Sequence, residues 1–252
     1  MNYTEENAKK IETTALKNQS NELFEKINLI SLGETALSTI IPTRWGIVKT
    51  KEEGRLPLVF DSAIHFGQSV LNILENKFEG CANEENFHYS TEHKIWKNTK
   101  YSIVFNHSRD FSGDDLQKLI KLYTKRIENF TQVLKNKKKS FFLYSTIKTD
   151  FSDFEGLKKA LSHYSNDFHL IIVNHRNILL DIKDPLITII DAPFPSEEYT
   201  WHLPSCYLSD EGIAFEETLI SQVIDVIQSV VVPVELPKVS TRRRSKKAKA
   251  KK

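Results

Sequence analysis

Two side chains in this sequence carry the chemistry of proton transfer inside short segments rich in apolar and aromatic residues: Asp61 in LVFDSAIHF and His107 in IVFNHSRDF. An imidazole that titrates near neutrality, oriented by a carboxylate, is a common general base. Such a pair would suit a non-thiol enzyme acting on a glycan or an activated ester. Each residue also has a plainer use. Asp61 precedes a helical pattern and fits an N-cap, and His107 stands where a strand meets a loop and fits the capping of backbone groups. His65 falls on the first turn of the same helical pattern, where a surface or partly buried position is expected. The two cysteines, Cys81 and Cys206, are far apart and form no CxxC pair, and Cys81 reads as a minor packing or surface residue. His163, His169 and His175 are spaced by six, unlike the i, i+4 pair of a helical metal site. Neither a metal nor a cofactor is expected.

The elements that must position these groups follow from periodicity. An apolar run from Lys26 to Gly33 predicts a buried strand, and Glu34 to Ile41 predicts a helix stopped at Pro42. A helical period starts at Asp61, with Val70, Leu71, Leu74 and Phe78 on one face and Gly80 as its stop. Short strands are expected at Phe87 to Ser90, His93 to Lys97 and Tyr101 to Phe105. The clearest element lies after Asp114 and Asp115, where Leu116, Leu119, Ile120, Tyr123, Ile127, Phe130 and Leu134 recur at helical spacing. Arg126 within it reads as a structural ion-pair partner. Ser140 to Ile147, Asp153 to His163 and Phe168 to Asn174 then read as strand, helix and strand, a β-α-β unit that builds parallel sheets. Asn177 to Ile182 and Leu186 to Ile190 read as a hairpin about Lys183-Asp184-Pro185. A loop follows, and then a largely buried helix from about Glu211 to Val230.

The segments ISLGETA at Ile30 to Ala36, LVFDSAIHF at Leu58 to Phe66 and IVFNHSRDF at Ile103 to Phe111 occur in an order that resembles a bacterial family of papain-like cysteine peptidases. Lys125-Arg126-Ile127 and the following SFFLYS add to the likeness, which runs roughly from Ile30 to Asn174. In that family the cysteine falls three residues after the glycine of Ser-Leu-Gly. Helix N-terminal amides there lower a thiol pKa and can bind an oxyanion. This chain has Ala36 at that position. The resemblance therefore implies a papain-like-related fold, with His107 as general base, Asp61 as its orienting acid, and Gly33 and Glu34 near an oxyanion site. Losing the sulfur removes the chemistry and leaves the fold possible. Thr35 and Ser38 are poor substitutes, since helix positions rotate by about 100° per residue. The implied function is that of a catalytically impaired relative whose cleft survives as a binding surface for a peptide or glycan-related ligand.

Length and charge set the frame. The chain has 252 residues, 40% of them hydrophobic, with 15 Phe and 8 Tyr, enough for a sizeable core. An α/β fold is expected: a single domain over residues 22 to 236 with a mixed β-sheet flanked by helices. A flexible leader, residues 1 to 21, is expected before it and a disordered basic tail, residues 237 to 252, after it. Lys238 to Lys252 carries nine Lys/Arg and no acid, while the rest holds 26 bases against 33 acids. Arg242, Arg243, Arg244, Lys246 and Lys247 in particular offer a nucleic acid or another polyanion an electrostatic partner, with strong salt dependence. The chain then has a third role to weigh, as an interaction protein acting through that tail. The polar first twenty residues and the lack of a long apolar run give no signal peptide and no membrane span, so a cytoplasmic location is expected.

Overall fold

The computed structural model describes residues 23 to 105 and 115 to 231. At its centre lie two strands that are buried along almost their whole length: β5, Lys139–Thr146, and β6, Phe168–Asn174. Continuous apolar runs of this kind belong to strands covered on both faces. On either side are β1, Ile27–Ser31, and β7, Ile187–Asp191, giving an all-parallel sheet in the order β1-β5-β6-β7.

Alternation along β5 and β6 divides the core. Phe142, Tyr144, Leu170 and Ile172 face three helices: α2, Gly67–Glu75; α3, Leu116–Leu134; and α4, Phe154–Ser162. Phe141, Leu143, Ile171 and Val173 face two others: α1, Leu37–Arg44, and α6, Asp210–Val231. The result is a three-layer α/β domain. A short helix α5, Pro204–Tyr207, leads into α6. A separate antiparallel sheet, built from β2, Phe87–Ser90, β3, Ile95–Asn98, and β4, Ile103–Phe105, joins the first layer. A single bridge from Ile64 to Val104 connects it to the segment before α2.

The α/β class and the single domain agree with the sequence reading. The expected mixture of strand directions is divided between the two sheets, one parallel and one antiparallel. Asp115 caps α3 by accepting from the Lys118 amide at 2.9 Å, and Asp153 caps α4 through the Gly156 amide at 2.9 Å. Three local expectations are corrected. Helix α1 runs through Pro42 to Arg44 because Pro42 removes only one amide donor, while Ile41 and Trp45 bury completely on the layer below. The second helical period begins at Gly67, so Asp61 is not its N-cap, and the preceding residues bend to make the Ile64 bridge. Ile187–Asp191 is a strand, but residues 177 to 182 are not, and no hairpin forms. The physical reason is local: the Asn174 side chain donates to the Ile178 carbonyl at 2.8 Å and accepts from its amide at 3.1 Å, taking the groups a partner strand would use.

Candidate binding cleft

The cleft is set up by the exit of β1. Ser31 Oγ accepts from the Gly33 amide at 3.3 Å, and Gly33 adopts φ +85°, a conformation natural to glycine. The Thr35 hydroxyl accepts from the Leu37 amide at 3.2 Å as α1 begins. At the far end of α1, Arg44 bonds Glu216, and Trp45 Nε1 donates to the same carboxylate at 2.8 Å. Glu216 is fully buried in α6, and desolvation pushes its pKa up against the pull of Arg44. These contacts anchor α1 at both ends and place Ala36, 2% exposed, in the lining of a cavity of about 450 Å³.

Asp61 lines the same cavity. Its carboxylate accepts from Thr39 Oγ1 at 2.9 Å, from an Arg55 guanidinium nitrogen at 2.8 Å, and from the Leu58 amide at 2.7 Å. An acid held by three donors, one of them cationic, is fixed in place as an acceptor. Arg126, 4% exposed, donates to Ser62 Oγ on the adjoining wall. Lys49 and Lys51 also reach the lining, so bases outnumber acids around the cavity. Such a surface favours an anionic occupant.

The structure thus brings Ala36 and Asp61 to one cavity, with Arg126 beside them. His107 lies outside the described residues, as do Arg242, Arg243, Arg244, Lys246 and Lys247. Thr35 and Ser38 do not reach the cleft: the Thr35 hydroxyl is held at the start of α1, and Ser38 Oγ sits 2.8 Å from Ser145 Oγ beneath it. Cys81 is completely buried in the core, where desolvation pushes its thiol up to about 12. Its packing role stands. Among the described residues no group of three His, Cys, Asp or Glu side chains converges as a metal would require.

Several residues take roles that the sequence does not announce. Glu34 is completely buried, and its carboxylate gathers the Ile147 amide at 2.6 Å, the Lys148 and Thr149 amides, the Thr149 hydroxyl and the Tyr144 hydroxyl at 3.1 Å. It fastens the loop after β5. His65, expected near the surface, is fully buried. Its Nδ1 is 3.1 Å from the Ala63 carbonyl and its Nε2 2.9 Å from the Tyr123 hydroxyl. Desolvation, helped by nearby Arg126, lowers its pKa to about 3, so the ring is neutral. Arg55 and Lys49 carried no signal at all, since both sit in a polar stretch that reads as an ordinary loop. The only local sign for Glu34 was its place directly after Ser-Leu-Gly.

Comparison with family models, with curated proteins and with solved structures finds no match for this chain.

Proposed function

We propose that this protein is a non-catalytic relative of papain-like peptidases whose cleft at Ala36 binds an anionic ligand, of peptide or glycan-related type. The observation that carries the reading is the joint lining of one cavity by Ala36 and a fully engaged Asp61, ringed by Arg55, Arg126 and Lys49. A methyl stands where a nucleophile would be needed, and the acid beside it already holds three donors. What remains is shape and positive potential, which serve binding.

The test installs a reporter at the site. Ala36→Cys places a thiol against the cavity, and iodoacetamide alkylation is followed by mass spectrometry, with the parent chain reporting Cys81 and Cys206. The expected result is alkylation at position 36, slowed several-fold by citrate as an anionic probe while the rate at Cys206 stays unchanged. Alkylation at an unchanged rate in a folded variant saturated with citrate overturns the anion-binding reading.

A further inference from the structure

The outer edge of β1 offers a second site, separate from the cleft in chemistry and sharing only Lys49 and Arg55 with it. Strand β1 ends the parallel sheet, pairing with β5 on one side only. The Leu32 amide donates to the Leu143 carbonyl at 2.9 Å, so by the alternation of a strand Asn28 and Ile30 direct their backbone groups at β5. Ile27 and Leu29 direct theirs outward. Among the described residues no hydrogen bond reaches the outward amide or carbonyl of either.

Beside this edge runs a groove of about 580 Å³. One wall is made by Gly46, Ile47 and Val48, another by Leu58 with Val133 of α3, and the floor is β1 itself. Among the described residues the position of a fifth strand, roughly 4.8 Å from β1, is therefore unfilled and flanked by apolar side chains. Its rim is basic: Lys49, Arg55 and Lys138 against Glu25. An extended acidic segment complements a rim that carries three bases and one acid.

We propose that the β1 edge binds an extended peptide segment of a partner protein by strand addition, with acidic residues flanking an apolar centre. Backbone pairing to Ile27 and Leu29 supplies affinity, the apolar walls receive alternate side chains, and Lys49 and Lys138 select the flanking carboxylates.

The experiment uses the full chain and a fluorescein-labelled peptide with a Val-Thr-Val centre and Asp residues at both ends. The expected result is saturable binding by fluorescence anisotropy, with slowed hydrogen exchange at the Ile27 and Leu29 amides. The same peptide N-methylated at alternate centre amides should bind about tenfold more weakly, the cost of losing one or two hydrogen bonds. Because that change leaves the protein untouched, folding of a variant is not at issue. Lys138→Glu should weaken the peptide and leave citrate protection of the Ala36→Cys thiol unchanged, which separates this site from the cleft. Absence of binding, equal binding of the N-methylated peptide, or exchange protection confined to other strands each overturns the proposal.

Discussion

At the scale of single residues, Glu34 is the sharpest test of how the cleft is built. Gln in its place keeps the shape but turns an NH2 group toward hydroxyl or amide donors and withdraws a charge from a buried cluster. Loss of an ionised acceptor from several donors costs about 2 to 3 kcal/mol. Glu34→Gln should therefore lower the unfolding free energy by that amount, read as a lower urea midpoint with an unchanged denaturant slope. A midpoint equal to the parent's would show the carboxylate to be dispensable. Asp61 illustrates the opposite lesson about single residues. Its type and neighbours suggest either an N-cap or an orienting acid, but Arg55, six positions earlier, and Thr39, which lies on α1, decide what it can do. Neither partner is visible in a local motif, because the contact is made by a turn and a helix that sequence spacing does not bring together.

Elements were legible where burial is uniform or strictly periodic. Strand β6 occupies Phe168–Asn174, as its unbroken apolar run requires, and α3 fills Leu116–Leu134, as its spacing requires. The failures share a cause, which is competition from side chains for backbone groups or space. Residues 177 to 182 have the composition of a strand, yet Leu179 is 96% exposed because Asn174 captures Ile178 first. Helix α1 was truncated at Pro42 in the sequence reading because the anchor beyond it, Arg44 and Trp45 on Glu216, lies in an element 172 residues away. That anchor is testable. Glu216→Ala removes the acceptor and leaves Arg44 facing a buried gap, a loss of about 3 to 5 kcal/mol for a broken buried pair. The expected readout is a matching fall in stability by chemical denaturation, together with a red shift of Trp emission as Trp45 loses its enclosure. Stability within about 0.5 kcal/mol of the parent, a change typical of surface sites, would contradict the anchoring role.

For the molecule as a whole, two buried histidines contribute most plainly to the response to acid, and burial shifts His169 in the same direction. His65 has its pKa lowered to about 3 and His175 to about 4, in both cases first by burial. His175 Nδ1 lies 2.7 Å from the Ala192 carbonyl, and its ring stacks on Phe194 at 4.5 Å. Both are depressed below the ordinary histidine value of 6.5, so the unfolded chain takes up protons that the native chain refuses. Stability from these groups is complete above pH 6.5 and falls as pH drops, until about pH 4 for His175 and about pH 3 for His65. Together they give a slope of about 2 to 3 kcal/mol per pH unit through the middle of that window. In urea titrations across it, His175→Phe should reduce the slope by about 1.4 kcal/mol per pH unit, and an unaltered slope would refute the assignment. None of this was legible beforehand, since a histidine's burial is a property of the packed layers and not of its neighbours in the chain.

Asn174 also donates to Asp191 Oδ1 at 2.8 Å, its partner in register, so one amide ties the C-terminal ends of β6 and β7 together while it holds the first turn of the excursion after β6. The alignment of the last strand pair is thereby pinned at the carboxyl edge of the sheet, and the exposed stretch around Leu179 can vary in composition without loosening it.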